Sequence, residues 1–333
     1  MTTSWSSSPD AMIKPSRTIL LRRVALTVLW ATCAILAIAC DGTESDANPP
    51  LPPRVTDANG GSVTFFIAAD THFGHRGIEK RNRRMVDALN DLPGTDWPTK
   101  IGGTVQTPRG VLIAGDLTER GTRRQWEQFR RYYGGPDANG LLRFPAFACT
   151  GNHDRYTPWR YGFVKPVLDG VRQQHGGLLY RIDWGQVTVL SLDEYPSLAA
   201  CRWLAKQLEQ IDPTRSIVIF FHYGLHGPFA DWWPSRHKNR FEQTIRGHNV
   251  VLLAHGHYHA SQHYRWRGWD VVNVGSPKHM WTTFSAVRIQ HDRLDVASYD
   301  WSRRRWNWSF SRDLSPPGTT DPPAAPAEAY RSN

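Results

Sequence analysis

Five apolar runs, VTFFIAA, GVLIA, FPAFACT, SIVIFF and NVVLLAH, each end on residues that bind metal ions. Their ends read Asp70-Thr71-His72, Gly115-Asp116, Gly151-Asn152-His153-Asp154, His222 and Gly256-His257-Tyr258-His259. Short runs this apolar suit strands buried on both faces, as in a mostly parallel sheet. In open α/β sheets, ligands bind outside the carboxyl ends of the strands. The chain is therefore expected to gather two Asp, one Asn and several His at one rim. Hard oxygen donors and imidazoles gathered in this way are what a hydrolytic pair of divalent metal ions requires.

The remaining elements follow from periodicity. Strands are expected at 62–69, 110–115 and 144–150, with helices at 77–91 and 122–133 between them. An irregular aromatic stretch comes next. The strands LLYRIDW and QVTVLSLD, a helix at 198–210, strand 216–221, a helix at 236–247 and strand 249–254 follow. The last part holds only strands: QHYRW, WDVVNV, FSAVRI and LDVASYDW. The first part reads as repeated βα units and the last as antiparallel hairpins.

Taken singly, each strand-end motif is common; what is specific is the set of five, in order. As a set, the blocks D-x-H, G-D, G-N-H-D, H and G-H-x-H resemble those of the calcineurin-like metallophosphoesterase superfamily. The resemblance implies an α/β fold of the four-layer α/β/β/α sandwich type. It also implies two divalent metal ions, of manganese, iron, zinc or cobalt. One ion would be held by Asp70, His72, Asp116 and His259. The second would be held by Asp116, Asn152, His222 and His257, with Asp116 bridging through its two oxygens. Such a pair, about 3.5–4 Å apart, polarises a phosphoryl group and acidifies a water. In an extended segment, residues two apart point the same way, so Asp70 and His72, or His257 and His259, can reach one cluster. His153 takes the family role of a catalytic residue that binds no metal, and Asp154 would orient its imidazole.

Substrate class is less sharply written. The second block, Gly115-Asp116-Leu117-Thr118-Glu119-Arg120-Gly121, resembles both class III phosphodiesterases and Ser/Thr protein phosphatases, and Glu119 departs from both. The first block and the Asp of the third lean towards the phosphodiesterases. The second block lacks the Tyr that ligates iron in purple acid phosphatases. Phosphodiester hydrolysis is the first expectation and phosphomonoester hydrolysis the alternative. An inactive binding module would show eroded ligands, and none is missing. Arg120 is a candidate for phosphate binding, with Arg155 and His75 beside the motifs. Trp232, in the aromatic stretch after His222, is a candidate wall of the pocket.

The chain ends differ from this middle. Residues 1–39 have the layout of a secretory signal, with Arg22-Arg23 before an apolar run from Val24 to Ala39. Ala37-Ile38-Ala39-Cys40 resembles a bacterial lipobox, which implies lipidation of Cys40 and a membrane anchor facing out of the cytoplasm. The alternative is an uncleaved anchor helix. Residues 41–60 are rich in Pro and Asp and read as a tether, 61–313 as the metallophosphoesterase domain, and 314–333 as a disordered tail. The net charge is +10; the leader holds four cations against one anion, so the processed chain carries about +7. This suits an anionic substrate or membrane. No nucleic acid is expected, because no aromatic-basic stacking motif or helix-turn-helix pattern appears. Beyond the leader and Cys40, only Cys149 and Cys201 remain, as one disulfide or two buried thiols.

Overall fold

The computed structural model describes residues 61–135, 139–156, 165–227, 230–290 and 292–314. The expected leader, Cys40, the tether and the tail from residue 315 lie outside the described residues. No described helix is long and apolar enough to cross a membrane.

Two six-stranded sheets carry the fold. The first contains β1 (Ser62–Ala68), β2 (Val111–Ala114), β3 (Ala146–Cys149), β10 (Thr283–Gln290), β11 (Arg293–Asp300) and β12 (Arg305–Asp313), in the order β12-β11-β10-β1-β2-β3. The second contains β4 (Leu179–Trp184), β5 (Val187–Leu192), β6 (Ser216–Phe220), β7 (Val250–His255), β8 (Gln262–Trp266) and β9 (Trp269–Asn273), in the order β4-β5-β6-β7-β9-β8. Strands β1, β2 and β3 pair in parallel, as do β5, β6, β7 and β9.

Side-chain alternation along the strands sets the layers. In β1, Val63, Phe65 and Ile67 enter a core shared with Val218 and Phe220 of β6, between the sheets. Phe66 and Ala68 point the other way, into a core with α1 (Ile78–Asp91), α2 (Arg123–Tyr133) and α3 (Pro166–His175). On the far face of the second sheet, Ile217 and Ile219 pack against α4 (Leu198–Leu208) and α5 (Ser235–Ile245). Helices, sheet, sheet and helices thus give the four-layer α/β/β/α sandwich expected from the sequence. Cys149 and Cys201 are both buried and free.

Three features depart from the sequence expectation. Helix α3 falls in the stretch read as irregular. Its sequence, PVLDGVRQQH, has a glycine in its interior, which costs about 1 kcal/mol of helix propensity. A Cβ at Gly170 would stand 2.3 Å from the Trp126 ring, so tight packing of α3 on α2 requires that glycine. Strand β12 was not expected. Its alternation is broken by a bulge: Ser298 pairs with Trp308 while Tyr299 pairs with Trp306. Trp306 therefore joins the helix-side core, and Trp308 and Phe310 join the core between the sheets. The C-terminal strands are also more than hairpins. β8 and β9 form one, but β9 then extends the parallel sheet beside β7, and β10 pairs antiparallel with β1 of the other sheet.

Candidate metal centre

The carboxyl ends of β1, β2 and β3 in one sheet and of β6 and β7 in the other deliver the five blocks to one place. Beyond β1 the chain stays joined to the continuation of β2. Asp70 N–H donates to Gly115 O (3.0 Å), His72 N–H to Asp116 O (2.9 Å) and Phe73 N–H to Leu117 O (3.1 Å). The first two blocks are thereby locked in register.

The backbone at the donors is strained. Nine described residues other than glycine have positive φ, and five of them are Asp70, His72, Asp116, His257 and His259. Each such residue costs about 1–2 kcal/mol, and strain of this kind concentrates at functional sites. The extended geometry expected for Asp70-x-His72 and His257-x-His259 is therefore corrected. Both pairs converge through left-handed turns, with φ values of 54° and 44° in the first and 71° and 52° in the second.

Two donor clusters of the expected ligands result, and a third group, His72, Glu119 and His153, adjoins the first. Asp70, His72, Asp116 and His259 present ligand atoms within 4.8 Å of one another, and so do Asp116, His222 and His257. In the first, His72 Nε2 lies 3.1 Å from His259 Nε2, and His259 Nε2 lies 3.3 Å from Asp70 Oδ1. In the second, His222 Nε2 lies 3.1 Å from Asn152 Oδ1 and 3.2 Å from His257 Nδ1. Asp116 belongs to both. Its Oδ2 lies 3.6 Å from His72 Nε2 and 3.3 Å from His222 Nε2, while Oδ1 accepts the His153 backbone N–H (2.9 Å). This close approach explains Gly151, whose Cβ would stand 2.2 Å from Asp116 Oδ1.

The donor chemistry fits a pair of cations. His222 Nδ1 meets the Ala114 carbonyl at 2.9 Å, so Nδ1 carries the proton and Nε2 faces the cluster. His72 is turned in the same way by Glu119, whose Oε2 lies 3.0 Å from Nδ1. Burial opposes charge on His222, but Asp116 and Asp70 outweigh it and push its pKa up to about 10. Buried carboxylates that hold a proton on a neighbouring imidazole are waiting for positive charge. Burial, with His222 beside it, pushes His257 down to about 3, which leaves its ring neutral and able to coordinate. The two clusters could hold two divalent ions.

The other expected site residues divide. His153 lines the cavity, with its ring edge-on to His72 at 4.7 Å between centroids. Its Nδ1 lies 3.0 Å from the Glu119 carbonyl, so Asp154 does not orient it. Asp154 is fully buried and accepts from Leu117 N (3.1 Å), Thr118 N (2.8 Å), Thr118 Oγ1 (2.7 Å) and Gly151 N (2.9 Å). It ties the second block to the third. Arg155 is committed to Asp193 and Glu194 rather than to the cavity. Arg120 is exposed and is not among the cavity-lining residues, and His75 is likewise exposed and outside the lining. Trp232 does line the cavity, 4.5 Å from the His257 ring, while the adjacent Trp233 is buried in the core between the second sheet and α4 and α5. Residues 157–164 of the other aromatic stretch lie outside the described residues.

One segment went unread in the sequence. The turn between β9 and β10 brings Lys278, His279, Met280 and Trp281 to the cavity, whose volume is about 470 Å³. Lys278 Nζ reaches both oxygens of Glu119, at 3.0 and 3.2 Å. Burial would raise the Glu119 carboxyl, but the His72 hydrogen bond and the Lys278 ammonium hold it down at about 2. The signal available was Glu119 itself, the one departure in its block.

Comparison with known proteins agrees with this geometry. The family model described as calcineurin-like phosphoesterase matches residues 63–261. A probable glycerophosphodiester phosphodiesterase, GpdQ, of Arcobacter nitrofigilis is 24% identical over 63% of this chain and 77% of its own. A purple acid phosphatase from yellow lupin (Lupinus luteus) seeds superposes with a TM-score of 0.58 at 13% identity, over 85% of this chain. The chain spans 59% of that structure's length. A dimetal phosphatase from Danio rerio superposes with a TM-score of 0.55, also at 13% identity, over 76% of this chain and 99% of its own. At such identities the two structures speak to the fold alone.

Proposed function

Because the chain belongs to the calcineurin-like phosphoesterase family, we propose that it hydrolyses phosphodiesters with two divalent metal ions. Asp70, His72, Asp116 and His259 hold one ion, and Asp116, Asn152, His222 and His257 the other. When bound, the ions supply charge that polarises the phosphoryl group and acidifies a water. Mixed nitrogen and oxygen ligation suits manganese, iron, zinc or cobalt. Glu119 stands 3.0 Å from His72 Nδ1 and favours a proton there. His153 stands beside the cluster without joining it, where it holds charge on the phosphoryl oxygens and passes a proton to the leaving oxygen.

The preference for a diester rests on one observation. Among the described residues lining the cavity, Lys278 is the only Lys or Arg, and its charge is matched by Glu119. A diester carries one negative charge and a monoester nearly two at neutral pH, so a lining with no unmatched Lys or Arg beyond the metal centre suits the diester better. The relative from A. nitrofigilis, named as a phosphodiesterase, supports the same reading. The full chain, purified in detergent and supplied with Mn²⁺, is expected to prefer bis-p-nitrophenyl phosphate over p-nitrophenyl phosphate by about tenfold or more in kcat/KM, about 1.4 kcal/mol. The reverse preference would make it a monoesterase.

The proposed place of action is the cell envelope, with the domain anchored through a lipid on Cys40. In a bacterial host fed labelled palmitate, the wild type is expected to take up label and Cys40→Ala to lose it and to keep its leader. An unlabelled wild type, with mass and membrane association unchanged by the substitution, would point instead to an anchor helix.

A further inference from the structure

Six large apolar side chains stand exposed among the described residues: Leu141, Tyr156, Leu198, Trp232, Met280 and Trp281. Scattered singly, exposed apolar groups mean little. Here Trp232, Met280 and Trp281 line one cavity together with Asp116 and His153. Tyr156 stands at its edge, its hydroxyl 3.4 Å from Asn152 Nδ2. Met280 is 79% exposed and Trp281 46%.

The wall that carries Met280 and Trp281 is fixed in place. Ser276 Oγ donates to the Asp70 carbonyl (2.8 Å) and accepts the Lys278 N–H (2.9 Å). Ser276 N–H donates to Trp281 O (2.9 Å), which closes the turn. Arg81 of α1 donates to the carbonyls of Lys278 (3.1 Å) and His279. The His279 ring lies 4.6 Å from that of His259. The backbone of the turn is thus tied to the first and last metal blocks, so binding need not order it afresh.

From this we infer that residues 276–281 and Trp232 form a recognition site for the apolar chain of an amphiphilic phosphodiester. The inference rests on the diesterase reading. With the phosphoryl group at the donor clusters, the ester substituents must leave through the cavity mouth, where these side chains stand. Several features favour an alkyl chain over a nucleobase. Reading a base edge takes several donors and acceptors; Trp281 and Trp232 offer one indole N–H each, and Met280 only a weakly accepting thioether sulfur. Methionine adapts its shape to a flexible chain. The matched Lys278–Glu119 pair adds no net charge that would favour a polyanionic substituent.

Methyl, butyl and octyl p-nitrophenyl phosphates, kept below their micelle concentrations, test this with the full chain. In the wild type, kcat/KM is expected to climb with chain length, by up to about fourfold for each methylene fully buried. In Met280→Ser/Trp281→Ser the octyl-to-methyl ratio is expected to fall at least tenfold, with bound metal unchanged. A flat series in the wild type, with the methyl ester still turned over, would overturn the inference and leave the diesterase reading standing. No turnover of any ester would defeat that reading and this inference with it. Thymidine p-nitrophenyl phosphate preferred over the octyl ester would assign the wall to a base instead.

Discussion

Asp116→Ala is expected to empty both halves of the metal centre and to lower phosphodiester turnover by roughly three orders of magnitude or more, since the charge stabilisation lost is worth several kcal/mol. The geometry singles out this carboxylate. Its Oδ2 faces His72 in one cluster and His222 in the other, at 3.6 and 3.3 Å. Each of the other expected ligands serves only one of these two. His259→Ala and His222→Ala should therefore each weaken one half, and metal analysis should give an intermediate stoichiometry. Asp116→Asn makes a sharper comparison. Asn can keep the oxygen that accepts the His153 N–H, but it removes the charge that, with Asp70, pulls His222 up to about 10. It should fold as the wild type does and still bind metal poorly. Elemental analysis of dialysed protein, read beside thermal unfolding, checks both. Full metal occupancy in Asp116→Ala would remove the bridging role.

The fold and the donor set were legible in the sequence for the same reason. A strand buried on both faces must be apolar, and a ligand-bearing loop must follow it, so both are written as local runs. Less local features escaped. Glu119 reads as an oddity in its block, because Lys278 lies 159 positions further on. Only the crossing of β10 to the first sheet brings the preceding turn over β1. The orienting role expected of Asp154 conflicts with the local geometry. Residues Asn152–Arg155 form a 3₁₀ turn. Successive side chains there point about 120° apart, at three residues per turn, so neighbours in sequence face different surroundings. His153 looks into the cavity, while Asp154 looks back into the protein and holds four donors. Trp232 and Trp233 divide in the same way, one at the cavity and one in the core. Composition could not tell them apart.

His153→Ala should separate chemistry from metal binding. The substitution keeps the backbone N–H that donates to Asp116 Oδ1, so the bridging carboxylate stays oriented and the metal content should match the wild type. What is lost is the imidazole, 4.7 Å from the His72 ring and held through Nδ1 by the Glu119 carbonyl. With Nδ1 engaged, Nε2 remains to act on substrate. General acid catalysis contributes about 10²–10⁴-fold, and a loss of that size in kcat is expected. Its dependence on the leaving group is the informative readout. p-Nitrophenolate departs without a proton, whereas an alkoxide does not. The loss should therefore be smallest for p-nitrophenyl esters and about tenfold or more greater for a dialkyl phosphate, a difference of about 1.4 kcal/mol between the two transition states. An equal loss for both would mean that the imidazole stabilises phosphoryl charge rather than delivering a proton. Loss of metal along with activity would make it a structural prop of the centre, and its place beside Asp116, rather than its chemistry, would be what the third block provides.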